Sequence, residues 1–244
     1  MDIKRLAVLI GNTNSLPGIQ NDLEDFEHFL NSNIGGVWNS DTEICKAYNV
    51  SRKELLNSLK KIRNANFDYL IFYFSGHGGL DRSSGSTILE LNRNGDTIDI
   101  SDLAGISIRQ LNIFDCCRIL PESIQKSVIN ESAMFSAENL CIKSRDLYNA
   151  RIMASAKQQI NLYACSCGEC ANATGHGSIY TKNLLKAAKS FNTSDVLVLD
   201  AHKKACKPTA FEAREYKENQ HPDYDADDSI PKNKQLILSM RNIC

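Results

Sequence analysis

Residues 68–79 read Asp-Tyr-Leu-Ile-Phe-Tyr-Phe-Ser-Gly-His-Gly-Gly. The run 69–74 is apolar or aromatic throughout, so a strand built from it has no side to give to water. Such a strand belongs in the middle of a sheet covered on both faces. Residues 5–10 (Arg-Leu-Ala-Val-Leu-Ile) make a second strand of this kind. Leu111, Ile113 and Phe114 end a third, which runs into Asp115-Cys116-Cys117-Arg118.

Between these strands the apolar period changes. Leu23, Phe26, Phe29 and Leu30 follow helical spacing, with Asn21 or Asp22 as the cap. Residues 42–48 read as a shorter strand. Ser51 and Glu54 form a capping box that opens a helix with Leu55, Leu56, Leu59 and Ile62 on one face. Strand and helix alternate, which predicts an α/β fold with a parallel, doubly wound sheet. Ligands of such sheets bind beyond the carboxyl ends of the strands. If the second and third strands named above are parallel neighbours, His77 and Cys117 meet at that edge. A thiol beside an imidazole is the minimum equipment for nucleophilic acyl transfer.

The rest of the chain is less regular. Residues 81–86 are small and polar. Residues 87–91 and 97–100 flank an Asn-Gly turn and predict a hairpin hanging off the active edge, followed by a short helix at 101–103. Residues 121–150 show weak periodicity and read as a long linker with room for one helical turn. Beyond it, 151–156 and 161–165 read as strands, 166–177 as a loop of small residues, and 178–190 and 195–206 as helices. Residues 217–233 read as a polar loop and 235–240 as a closing strand.

Each chemical candidate has a plainer rival. His77 could simply end a strand, but its flanking glycines allow a substrate backbone to approach closely. Cys117 could be a buried inert thiol. Cys116 is the rival nucleophile, and strand alternation turns it to the opposite side. Asp115, two residues before Cys117, faces the same side as that cysteine. Cys165, Cys167, Cys170 and His176 have the ligand types of a zinc site, but not its usual spacing. Asp223, Asp225, Asp227 and Asp228 read as a solvated loop, because the glycine and terminal glutamate of an EF-hand loop are missing.

Composition narrows the function classes. A net charge of −1 gives no basic field for a nucleic-acid partner. No stretch is long and apolar enough to span a bilayer. The amino terminus leads into a strand rather than a signal peptide, so the nine cysteines are expected to be reduced thiols in a cytoplasmic protein.

Three stretches together resemble the caspase-like cysteine peptidases, above all metacaspases and their bacterial relatives. Val8-Leu9-Ile10-Gly11-Asn12 leading to Pro17-Gly18 and Asn21-Asp22 is similar to that family's first strand, loop and helix. Residues 72–78 are similar to its histidine strand, and Phe114-Asp115-Cys116-Cys117-Arg118 resembles its Asp-x-Cys motif. Weaker matches at 163–166, 175–178 and 220–222 extend the likeness over nearly the whole chain.

The resemblance implies a single domain over 1–244, a three-layer sandwich with a mostly parallel sheet of about six strands and helices on both faces. Residues 1–120 would correspond to a large subunit, 121–150 to a processing linker and 151–244 to a small subunit. Cys117 would be the nucleophile and His77 its partner. The N–H groups of Gly78 and Cys117 would form an oxyanion hole. Asp22 and Asp115 would line the pocket for the residue before the cut. Caspases proper cut after Asp from a basic pocket; with carboxylates at these positions, Arg or Lys is expected instead. Lys126, Lys143 and Arg145 would suit self-cleavage in the linker. A second cysteine, Cys116, stands where metacaspases carry a small residue. Arg118 is expected to be structural, with its charge also favouring the Cys117 thiolate. The expected partners are protein substrates with a basic residue, and an activating protein or upstream protease. No cofactor or metal is expected, with a Ca²⁺ requirement left open. Stress or antiviral responses are the setting suggested by bacterial relatives. The competing expectations are a catalytically idle scaffold of the same fold, or a zinc-stabilised interaction domain.

Overall fold

The computed structural model describes residues 3–16, 18–120, 142–190 and 193–241. Pro17 and Lys126 lie outside them. The first half runs β1 (Arg5–Gly11), α1 (Ile19–Asn31), β2 (Ile44–Tyr48), α2 (Arg52–Asn64), β3 (Tyr69–Ser75), β4 (Gly78–Leu80), β5 (Thr87–Glu90), β6 (Thr97–Asp99) and β7 (Arg109–Asp115). The second half runs α3 (Ile142–Ala154), β8 (Gln158–Tyr163), β9 (Ala173–Thr174), β10 (Gly177–Ser178), α4 (Ile179–Lys189), β11 (Val196–Leu197), α5 (Val198–Glu215), β12 (Asp223–Asp225) and β13 (Ile237–Ser239).

Six strands form the central sheet in the order β12-β8-β7-β3-β1-β2. All neighbours pair in parallel except β12, which is antiparallel to β8 at the edge. The apolar runs of β1 and β3 lie inside, as their lack of a polar face demands: Leu9 and residues 69–74 have essentially no exposure. Alternation sends Leu9, Ile71, Tyr73, Leu111 and Ile113 into a core shared with α1, α3, α4 and α5. Val8, Ile10, Phe72, Phe74 and Phe114 go to the other face, under Leu55 and Leu59 of α2 and the small sheet β4-β5-β6. The layers are thus three, with the α-helices of the described residues divided four to one.

The linker expectation for 121–150 is corrected from residue 142 onward, and so is the strand expected at 151–156: Ile142–Ala154 form α3, and Ser155 and Ala156 follow it outside any strand. Its periodicity is weak because its inward face is partly polar. Tyr148 and Ile152 are buried, but so are Ser144 and Asn149. Asn149 meets a buried cation. Arg5 is sandwiched against Trp38, 4.3 Å from the ring centroid, and donates to Asn149 Oδ1 at 2.7 Å and to both oxygens of Glu43 at 3.1 Å. Arg145 reaches the same Glu43 carboxylate at 2.6 Å. Tertiary partners, not propensity, hold this helix.

Smaller differences have similar causes. Helix α1 starts at Ile19 after Gly18, so Asn21 and Asp22 sit in its first turn rather than at its cap. The Asp22 carboxylate is taken by partners from elsewhere in the chain. Residues 78–80 pair with β5 as a third strand of the hairpin sheet. The helix expected at 101–103 is a 3₁₀ turn, Ile100–Leu103, capped by Asp99. Within 217–233, residues Asp223–Asp225 form the edge strand β12. Helix α5 begins at Val198, not 195, and runs on to Glu215. The capping box on α2 forms as expected, with Ser51 N to Glu54 Oε2 at 3.0 Å and Glu54 N to Ser51 Oγ at 3.3 Å.

His202 of α5 is buried, its Nδ1 2.8 Å from the hydroxyl of Tyr180 and its ring edge-on to Tyr224. Burial holds its pKa down to about 4; Asp223 pulls weakly upward and Lys203 downward. The unfolded chain therefore takes up this proton first, near the ordinary value of 6.5. Stability is expected to fall as pH drops from about 6.5 to about 4, by about 3 kcal/mol from this group. Melting curves at stepped pH should show a shallower acid-side loss for His202→Gln than for wild type; equal slopes would refute the assignment.

Candidate active site

Strands β3 and β7 are neighbours, and their register pairs Phe74 with Phe114 and Ser75 with Asp115. His77 and Cys117 each lie two residues past that last rung. The two chains stay together beyond the sheet: Gly76 N donates to Asp115 O at 3.1 Å and Leu80 N to Ile119 O at 2.9 Å. Gly78 lies against Cys116 so closely that an added Cβ would stand 2.6 Å from its sulfur. The expected juxtaposition of the histidine and cysteine segments is therefore what the strand order produces.

The two cysteines separate as alternation requires. Cys116 is fully buried and joins the core beneath α2 and the small sheet, on the same side as Phe114. Cys117, 4% exposed, turns to the other side, with Sγ 3.8 Å from Ala171 O. Arg118 anchors the turn. Its guanidinium donates to Thr87 Oγ1 at 3.0 Å, Cys165 O at 3.3 Å and Asp223 Oδ2 at 3.3 Å, and stacks 4.0 Å over Tyr163. Its backbone is tied at both ends, N–H to Glu169 O and C=O from Gly168 N. This matches the structural role expected of it.

His77 is oriented from the first loop. Its Nε2 lies 2.7 Å from Asn14 O. A carbonyl only accepts, so Nε2 carries hydrogen and Nδ1 is the acceptor of the neutral ring. Asn14 is held in turn: its N–H donates to Asn12 Oδ1 at 3.0 Å, and Asn12 Nδ2 donates to Glu90 O at 2.8 Å. Glu90 N closes the circuit on His77 O at 3.1 Å. No sequence signal marks Asn14, because it acts through its backbone.

Asp22 and Asp115, each 2% exposed, come to one place at the start of α4. Asp22 accepts from Ser178 N at 2.6 Å and from Ser75 Oγ at 2.7 Å. Asp115 Oδ2 accepts from Thr181 Oγ1 at 2.7 Å and Thr181 N at 3.3 Å. Tyr73 completes the group with its hydroxyl 2.8 Å from Thr181 Oγ1. Burial, then the charges of Asp22 and Asp115, push the Tyr73 phenol well above its usual range, so it stays a proton donor. Gly177, at φ +123°, passes against the Asp22 carboxylate where any Cβ would collide with it. Ser75, Thr181, Ser178 and Gly177 were not anticipated. Ser75 carried a signal, since strand alternation puts it on the side of Tyr73 and across from Asp115, and Gly177 and Ser178 lie in the 175–178 stretch that resembles the family.

Of the cysteines in the expected zinc alternative, Cys165 is engaged with backbone carbonyls and Cys167 is exposed. Cys165 is buried, which pushes its thiol well above the ordinary range, and it donates to Cys116 O at 3.3 Å and Glu169 O at 3.2 Å. Among the described residues no group of three His, Cys, Asp or Glu is arranged to hold a metal ion. No helix among the described residues is long and apolar enough to cross a membrane.

A family model described as a caspase domain matches residues 4–239. Two solved structures share the fold. Caspase-1 from Spodoptera frugiperda matches with a TM-score of 0.61 at 12% identity, covering 100% of this chain and 94% of that one. A protein from Geobacter sulfurreducens matches with a TM-score of 0.56 at 14% identity, covering 98% and 97%. No curated protein matches by sequence.

Proposed function

Because the chain belongs to the caspase-domain family of cysteine peptidases, we propose that it is an endopeptidase in which Cys117 and His77 cleave after Arg or Lys. The observation that carries this reading is the common rung of β3 and β7, which delivers a thiol and an oriented imidazole to one edge beside two buried carboxylates.

The chemistry follows from the atoms. His77 Nδ1 takes the Cys117 proton, since Nε2 is committed to Asn14 O. The thiolate attacks the scissile carbonyl, and the N–H groups of Gly78 and Cys117 receive the developing oxyanion. As the intermediate collapses, the imidazolium gives its proton to the leaving amine. Water then attacks the thioester with His77 again as base, releasing the acid and restoring the thiol. Asp22 and Asp115 select a cation: carboxylates shielded from water repel an acidic side chain and accept a guanidinium in bidentate fashion.

A peptide series that varies only the residue before the cut, run with and without Ca²⁺, tests the assignment. Arg and Lys peptides are expected to lead. Asp115→Asn should lower kcat/KM for the Arg peptide by at least about 30-fold, the loss expected when one partner of a shielded charge pair is removed. Preference for Asp peptides, or none at all, would overturn it.

Self-cleavage is proposed at Lys126. Between Arg118 and Lys143 it is the single basic residue. Lys143 and Arg145 now fall in the first turn of α3, where Arg145 is bound to Glu43 and to Val37 O at 2.7 Å. A helical residue tied down in this way is a poor match for a cleft that takes extended chain. In the same incubations, new termini should map after Lys126 in wild type and be missing from Cys117→Ala. Activation by such a cut, or by a protein partner, would fit a peptidase of this family.

A further inference from the structure

We propose that Thr181 is a positioning residue for basic-residue selectivity, acting through Asp115. This rests on reading Asp22 and Asp115 as the pocket for the residue before the cut.

The direction of the hydrogen bonds carries the argument. Thr181 Oγ1 stands 2.7 Å from Asp115 Oδ2 and 2.8 Å from the Tyr73 hydroxyl. A carboxylate only accepts, so the single threonine proton goes to Asp115. Tyr73 then donates toward Thr181, with Ser75 as a second hydrogen-bond neighbour of its hydroxyl. The chain is polarised one way, from Tyr73 through Thr181 to Asp115, and each donor strengthens the next. The N–H of the same threonine adds a second donor to the same oxygen at 3.3 Å.

Nothing in this chain is free to turn aside. Tyr73 is fully buried and stacks on Phe26, ring centroids 4.6 Å apart and nearly parallel. Thr181 is 2% exposed in the first turn of α4. The same turn supplies a donor to the other carboxylate, through Ser178 N and Asp22 at 2.6 Å. One helix end, whose dipole is positive there, thus spaces two carboxylates and favours their charge. Ser75 braces Asp22 from the sheet as Tyr73 braces Asp115 through Thr181. A threonine that merely filled core space would need no such alignment.

The test compares wild type, Thr181→Val and Thr181→Ser on two peptides that differ only in Arg or its neutral isostere citrulline before the cut. Valine keeps the volume and deletes the hydroxyl; serine keeps the hydroxyl. Thr181→Val is expected to lose about 10-fold in kcat/KM on the Arg peptide, mostly through KM, the size of one hydrogen bond to a charged group. Its Arg-to-citrulline ratio should fall by about as much, and Thr181→Ser should restore it to within about 3-fold. Alkylation of Cys117 by iodoacetamide, which does not use the pocket, should proceed at the wild-type rate in both. If Thr181→Val does not fold, Tyr73→Phe removes the far donor, together with its contact to Ser75, and should lower the same ratio by about 3-fold. An unchanged ratio, or an equal loss on both peptides, would overturn the inference while leaving the peptidase reading intact. A wild type that cleaves neither peptide would overturn the underlying pocket assignment itself.

Discussion

Replacing Cys117 with alanine is expected to lower kcat/KM on an Arg peptide by at least about 10⁴-fold, the scale seen when an essential nucleophile is deleted. His77→Ala should cost nearly as much, and the double variant little more, because nucleophile and base act as one unit. The fold should not notice. The Cys117 sulfur lies 3.8 Å from Ala171 O, and its loop is held by the Arg118 guanidinium. Cys116→Ala is the informative control. That thiol lies under Gly78 in the core on the far side of the turn, so its loss should lower the melting temperature more than the rate. A Cys117→Ala protein that still cleaves, with Cys116→Ala inactive, would sink the assignment. So would retention of activity in both.

Replacing Glu43 with glutamine is expected to destabilise the protein by about 3–5 kcal/mol, the usual result of removing one member of a buried ion pair. The Arg5 side chain has no exposed surface and depends on this carboxylate, as does Arg145 of α3. Burial pulls the Glu43 carboxyl upward, but hydrogen bonds from Arg145, Arg5 and the Asn39 N–H outweigh it and hold the pKa at about 2. A carboxyl held below its free value of 4.5 adds stability that is complete above that pH and disappears as pH falls toward 2. The variant should therefore melt about 10 °C lower at pH 7, with the gap closing in acid. A shift under about 2 °C at pH 7 would show that Arg5 finds other partners. Amide exchange in α3 should rise most, because Glu43 bridges that helix to β1.

The two variants probe parts of the protein that were unequally visible beforehand. Strands β1, β3 and β7 announced themselves because residues such as Phe72 and Phe74 have no polar neighbour to face solvent, and burial on both sides leaves that mark in the local order of residues. Helix α3 left no such mark. Its positions Arg145 and Asn149 are polar because they answer Glu43 and Arg5, which a periodicity argument cannot see. Asp22 is similar: a local reading offers it as a helix cap, yet its carboxylate bonds Ser178, 156 positions away.

What the sequence determined by itself was therefore the buried runs of β1, β3 and β7, and the placing of His77 and Cys117 just past the ends of two of them. Period and composition report burial, and burial follows from side chains taken in order. Only the tertiary structure decided which backbone carbonyl orients the imidazole, which helix end faces the two carboxylates and which glutamate neutralises Arg5. Those choices join segments far apart in the chain. Their physical cause is the need to satisfy polar groups once strand order and register have brought them out of water.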